Sequence, residues 1–267
     1  EALGMDKQTL KKLDKIIHQP HGIFLVTGPT GSGKSTTLYA ALNRLDSKSL
    51  NIMTVEDPIE YDIAGVSQTQ INAKIDMSFA RALRAILRQD PDIIMIGEIR
   101  DLETSQIAVQ ASLTGHLVLA TLHTNTAASA VTRLIDMGVE SFLLSSTLIG
   151  ILAQRLIRLL CPKCKTENLA IDKKIRNEFQ IPLDTVVYKA VGCESCNQTG
   201  YKGRSGIYEL LVTSDHLQRM IHNEESENAI ERYAIEHLGM KTLRMDAMRW
   251  LLEGKTSLEE VTTVTKD

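Results

Sequence analysis

Aromatic residues are scarce: Phe, Trp and Tyr make up 4% of the 267 residues. There is no excess of basic residues either, and the formal charge is −3. A groove for single-stranded nucleic acid needs cations along the backbone and flat rings beneath the bases, so both shortages argue against that partner. No apolar run is long enough to span a bilayer. The uncharged stretch from Ser141 to Gln154 is short and leads into Arg155 and Arg158. No secretory leader opens the chain, and it starts at Glu1 without an initiator methionine, so it reads as a fragment lacking a natural N-terminal region. Cysteine is confined to four residues in two C-x-x-C pairs, which, without a secretory leader, favours a reducing compartment and a metal over disulfides. Hydrophobic residues at 43% and charged residues at 24% are ordinary for a globular protein, and the length suits one large or two small domains.

Gly28-Pro-Thr-Gly-Ser-Gly-Lys34-Ser35 has the G-x-x-x-x-G-K-[ST] spacing of a phosphate-binding loop. Gly28, Gly31 and Gly33 let the backbone turn tightly and bring N–H groups against phosphate oxygens. Lys34 places an ammonium between the β- and γ-phosphates, and Ser35 offers a hydroxyl to Mg²⁺. The buried strand pattern Gly22–Thr27 precedes the loop and a helical pattern at Lys34–Leu45 follows it, the order that makes a helix N-terminus an anion site. The expected nucleotide-binding residues are Gly28, Pro29, Thr30, Gly31, Ser32, Gly33, Lys34, Ser35 and Thr36.

Further apolar runs at Asn51–Val55, Ile93–Gly97 and Leu117–Leu122 alternate with helical patterns at Ser78–Arg88 and Leu102–Thr114. Such alternation predicts an α/β fold, a parallel sheet covered by helices. Thr9–His18 reads as an amphipathic helix, and Ala127–Met137 and Ser141–Leu160 as two more. After Cys161 the sheet alternation fades, and helical periodicity returns from Asp215.

Hydrolysis also needs a metal partner, a group that orients water, and charge to stabilise the γ-phosphate. Ile93–Ile96 followed by Gly97-Glu98 is the best Walker B candidate. It puts Glu98 at the C-terminal end of a strand, where open α/β sheets bind ligands. The usual aspartate is absent and Gly97 stands in its place, so Glu98 either acts on Mg²⁺ or through its water shell, or merely caps the next helix. Thr54-Val-Glu-Asp-Pro-Ile-Glu60 places Glu56, Asp57 and Glu60 just after a strand; one of them polarises water, or all three form a solvated acidic loop. His123 ends another strand on the same edge as Glu98 and could donate to a γ-phosphate, whereas His116 sits at the opposite end and reads as structural. Arg81, Arg84 and Arg88 share one helical face, either solvated or, with Arg100, reaching a neighbouring subunit's nucleotide.

Cys161-Pro-Lys-Cys164 and Cys193-Glu-Ser-Cys196 form two knuckles. Four thiolates complete a tetrahedral set that suits Zn²⁺ and leaves no open position for catalysis, so the site should be structural.

In this order the blocks resemble the secretion ATPases of type II secretion and type IV pilus assembly. Gly28–Ser35 is similar to their Walker A, Glu56–Glu60 to their Asp box, Ile93–Glu98 to their atypical Walker B and Thr114–Asn125 to their His box. The tetracysteine also matches the assembly ATPases rather than the retraction relatives, which usually lack it. The resemblance implies a RecA-like P-loop NTPase core over 20–160, a zinc module over 161–206 and a helical C-terminal region over 207–267. Residues 1–19 would be the linker remnant of an N-terminal domain. It further implies a homo-hexamer that hydrolyses ATP, cytoplasmic and peripheral on a bacterial inner membrane, working with inner-membrane platform proteins and no nucleic acid. In that family's terms Glu60 is the water-activating acid, Glu98 the Mg²⁺-side acid and His123 the γ-phosphate sensor.

Overall fold

The computed structural model describes residues 3–266, and the chain folds as two units. Of the expected linker, Glu1 and Ala2 lie outside the described residues. One unit comprises Asp6–Gln154 and Glu209–Met240; the other takes in the chain through Met5, Arg155–Tyr208 and the residues from Lys241 onward.

The first unit opens with α1, Lys7–Ile17, where the Asp6 carboxylate accepts the backbone N–H groups of Gln8 and Thr9 and so caps the free helix end. Leu13, Ile16 and Ile17 form its buried face. β1, Gly22–Thr27, is buried at every residue, as befits a strand covered on both faces. Then come α2 (Lys34–Leu42), β2 (Ile52–Glu56), β3 (Val66–Gln70), α3 (Phe79–Ile86), β4 (Ile93–Ile96), α4 (Leu102–Leu113), β5 (Leu117–Leu122), α5 (Ala127–Asp136) and α6 (Ser141–Thr147). Side chains cap α3, α4 and α5 at Ser78, Asp101 and Thr126. β6, Leu148–Leu160, begins in this unit.

The sheet order is β3-β2-β4-β5-β1-β6, followed at the end by β9 (Tyr201–Val212). The pairs β2–β3, β2–β4, β4–β5, β5–β1 and β1–β6 are parallel. The predicted strands at Gly22–Thr27, Asn51–Val55, Ile93–Gly97 and Leu117–Leu122 are all present, with ends shifted by at most one residue.

The reading of Ser141–Leu160 as one helix is overturned: helix stops at Thr147 and the rest is β6. Its first half is apolar on both sides, because it pairs with β1 in mid-sheet, so the run carries no period that separates helix from strand. Gly150 is the local signal for a strand. A Cβ there would come within 3.2 Å of the Leu211 carbonyl and 2.9 Å of Ile16 Cδ1.

In the second unit, β7 (Thr166–Glu167), α7 (Lys173–Glu178) and β8 (Tyr188–Lys189) follow the remainder of β6, with β7 and β8 antiparallel. After β9 the chain returns to the first unit for α8 (Asp215–His222) and α9 (Glu227–Leu238), then to the second for α10 (Leu243–Leu252) and α11 (Leu258–Val264). Glu260, 3% exposed, is held by Arg158, whose Nε and Nη2 donate to one carboxylate oxygen at 2.9 and 2.6 Å. A buried acid with a forked partner of this kind fixes β6 to α11.

Candidate active site and metal centre

β2, β4, β5 and β1 run parallel and end nearly level. Val55 stands beside Ile96, Ile96 beside Ala120, and Leu122 beside Thr27. The segments that follow them, Asp57–Glu60, Gly97–Glu98, His123–Asn125 and the loop from Gly28, therefore emerge along one sheet edge.

The loop is shaped by glycine. Gly28 has φ 148°, and a Cβ there would lie 2.3 Å from the Gln154 carbonyl oxygen and 2.7 Å from Ser32 Oγ. Gly33, at φ 88°, is the left-handed residue from which α2 starts. Pro29, Thr30 and Gly31 are exposed before the helix, and Ser35 and Thr36 are exposed on its first turn. Lys34 is only 9% exposed; its Nζ donates to the carbonyls of Gly28 at 2.7 Å and Pro29 at 3.1 Å. Burial lowers its pKa from 10.5, and the charge of Glu98 opposes that shift. Ser32 Oγ is buried with no hydrogen-bond partner among the described residues. An unpartnered hydroxyl, a buried ammonium and a glycine-shaped backbone at a helix N-terminus fit a phosphate group.

Gln154, 2% exposed, was invisible as a functional residue in the sequence. Its Nε2 donates to the Ser32 carbonyl and its Oε1 accepts from Thr37 Oγ1, each at 2.7 Å. A lone polar side chain inside the apolar run of β6 was the available signal.

The acids separate. Glu56 does not belong to a solvated loop: it is 3% exposed, and it accepts hydrogen bonds from the Tyr39 hydroxyl, Thr54 Oγ1 at 2.5 Å and Gln68 Nε2 at 3.1 Å. Asp57 and Glu60 are exposed, and the Glu60 carboxylate has no hydrogen bond or ion pair among the described residues. Glu98 is half-buried between two cations or donors: Arg100 Nη2 lies 2.6 Å from Oε2, and His123 Nε2 lies 2.9 Å from Oε1. The Glu98 carboxylate raises the Arg100 pKa further.

Threonines tie the strand ends together. Thr121 Oγ1 donates to the Gly97 carbonyl at 2.5 Å, and Thr27 Oγ1 accepts the Thr124 N–H at 2.8 Å. His116 lies at the other end of β5, where its Nδ1 is 2.8 Å from the Ala111 carbonyl oxygen. Arg81, Arg84 and Arg88 are exposed on or beside α3, and Arg84 pairs with Glu103 at 2.7 Å.

In the second unit the Sγ atoms of Cys161, Cys164, Cys193 and Cys196 all lie within 4.8 Å of one another. Three of the separations are 3.9 Å (Cys161–Cys193), 3.8 Å (Cys164–Cys196) and 3.8 Å (Cys193–Cys196). The edge of a tetrahedron with Zn–S bonds of about 2.3 Å is about 3.8 Å, so the donor set and its spacing fit zinc. Burial pushes the Cys164 thiol up to about 11. Burial also pushes Cys196 up, but the backbone N–H groups of Cys193 and Gly200, each 3.2 Å from its sulfur, and the neighbouring thiols outweigh it and bring it down to about 6. N–H···S bonds of this kind favour the thiolate that a metal binds.

A glycine loop between β1 and α2, opening on the carboxyl edge of a parallel sheet beside an acid and an imidazole, defines a P-loop nucleotide-binding core. The chain belongs to the type II/IV secretion system protein family, which matches residues 1–263. It is 60% identical over 267 residues to the type II secretion system protein HxcR of Pseudomonas aeruginosa and 58% identical over 270 residues to the type II secretion system ATPase E of Vibrio cholerae. In each case it is covered in full and spans 53% of the relative. Among solved structures it resembles the pilus retraction motor PilT with bound ADP, at a TM-score of 0.73 and 31% identity, covering 100% of this chain and 66% of that one. The Legionella pneumophila ATPase DotB shares the fold, at a TM-score of 0.71 and 22% identity, with 98% and 64% covered.

Proposed function

We propose that this region binds Mg-ATP and hydrolyses it as the motor of a type II secretion system. The observation that carries the reading is the gathering of Lys34, Glu98, His123 and the Glu60 segment along one sheet edge. Lys34 exchanges its carbonyl partners for β- and γ-phosphate oxygens, and the N–H groups of Gly28–Ser35 take the rest of the phosphate charge. Ser35 and Glu98 would hold Mg²⁺ and its water, and the ion supplies neutralisation of the phosphate charge. A carboxylate has room for more than two donors, so Glu98 can keep Arg100 while it would help to hold the ion. His123 Nε2 would leave Glu98 Oε1 to donate to the γ-phosphate. Glu60, exposed and unpartnered, takes the role of orienting the attacking water.

The four cysteines would hold Zn²⁺ as a structural clamp, since four sulfurs leave no open position. The relatives at 54–60% identity carry type II secretion names, which favours secretion over pilus assembly. On this reading the motor is a homo-hexamer on the cytoplasmic face of the inner membrane, acting with platform proteins. No helix among the described residues is long and apolar enough to cross a membrane.

The test is Mg-ATP turnover by this chain, alone and fused to a carrier that forces a hexameric ring. A large rise in the ring supports a site completed between subunits. No rise, with nucleotide still bound, counts against the ring motor.

A further inference from the structure

We propose that Tyr39 is a positioning residue that sets Glu60 against the phosphate loop; the proposal rests on the reading of Glu60 as the water-orienting acid. Tyr39 is fully buried on α2, the helix that starts at Lys34, so it moves with the residues that grip phosphate. Its hydroxyl donates to Glu56 Oε2. Its oxygen accepts the Glu60 backbone N–H at 3.3 Å and lies 3.5 Å from Gln68 Nε2. The phenol thus donates once and accepts once, since the two N–H groups of the Gln68 amide are nearer to Glu56 Oε1 and the Tyr61 carbonyl.

Each neighbour is itself fixed. Glu56 is also held by Thr54 and Gln68, and Gln68 donates to the Tyr61 carbonyl at 3.2 Å and accepts the Ile63 N–H at 2.7 Å. The Tyr39 ring meets the Tyr61 ring edge-on, with centroids 4.7 Å apart at 84°. The backbone around Glu60 is therefore pinned to α2 through one side chain, while the Glu60 carboxylate stays free. Burial and the hydrogen bond to Glu56 raise the Tyr39 pKa to about 12, so the phenol remains a donor at neutral pH.

The test compares Tyr39→Phe, Glu60→Gln and the double variant in the assembled ATPase. Tyr39→Phe should leave Mg-ATP affinity unchanged and lower kcat by about 10- to 100-fold, the scale of a misplacement near 1 Å. Hydrogen exchange at the Glu60 amide should quicken, a change that a mere loss of packing elsewhere would not confine to this segment. In the Glu60→Gln background Tyr39→Phe should cost nothing further, because both act through one acid. Wild-type kcat in Tyr39→Phe beside an impaired Glu60→Gln overturns the proposal and leaves the Glu60 reading standing. Fully multiplicative losses also overturn it. Wild-type turnover in Glu60→Gln removes both. Should Tyr39→Phe leave the Glu56 carboxylate too poorly partnered to fold, Tyr39→Phe with Glu56→Gln removes that charge and carries the same expectations.

Discussion

Gln154→Leu tests whether the phosphate loop is held by the neighbouring strand. Leucine is close in size and stays apolar, so the change removes two hydrogen bonds with little loss of volume. It strands the Ser32 carbonyl and the Thr37 hydroxyl, in residues only 3% and 2% exposed, where water does not replace the amide. Each buried polar group left unpaired costs about 1–3 kcal/mol, so the variant, which strands both, should lose about 2–6 kcal/mol. Urea unfolding at equilibrium measures the loss. Adding Thr37→Val removes the stranded hydroxyl with its partner already gone, and it should recover about 1 kcal/mol or more. A fluorescent ATP analogue should bind the Gln154→Leu protein more weakly, because Ser32 sits in the loop. A loss below about 0.5 kcal/mol, or a double variant less stable than Gln154→Leu, would refute the reasoning.

Lys34→Met should abolish nucleotide binding without lowering stability at neutral pH, since it removes a buried charge that is held only by carbonyls. Lys34 binds its proton less tightly folded than unfolded, so the wild type should gain stability relative to Lys34→Met as pH rises toward 10.5, a trend that paired thermal melts would show. Glu98→Gln should cut turnover by orders of magnitude while stability shifts by less than about 1 kcal/mol, because the Arg100 side of the ion pair is 63% exposed and screened by solvent. Cys161→Ser should release zinc and unfold the small module; metal content equal to wild type by elemental analysis would remove the site.

The parallel core was legible because its strands are short, apolar and punctuated by glycine and proline, with one helix between most neighbours. β6 was not, since burial on both faces erases the alternation that marks a strand. β3 escaped for the opposite reason: Val66–Gln70 is polar and half-exposed at the sheet edge, and nothing in its composition announces a strand. The candidate site divides in the same way. Residues meant to meet a ligand sit at strand ends in recognisable spacing. Their supports do not: Tyr39 reads as one aromatic on a helix, and Gln154 as one polar residue in an apolar run. Only the fold brings the first to Glu60 and the second to Ser32.

The same supports explain why glycine occupies the position where a Walker B acid is common. The Gly97 N–H continues the β2–β4 ladder by donating to the Val55 carbonyl at 2.7 Å. A Cβ at Gly97 would lie 3.2 Å from that carbonyl oxygen and 3.3 Å from Glu56 Cα, so even alanine requires the β2 backbone to give by a few tenths of an ångström. An aspartate would also set a second carboxylate beside buried Glu56, where like charges repel. Glu56 cannot yield, because it receives Tyr39, Thr54 and Gln68. On the proposed reading the acid stands one residue later, at Glu98, where the strand has ended and Arg100 and His123 pair with the carboxylate. The glycine is thus the steric consequence of the β2 backbone beside it, at the Val55 carbonyl and Glu56 Cα, whichever side chain Glu56 carries, so the stability losses of Gly97→Ala and Glu56→Ala should add, and a rescue in the double variant would refute this account.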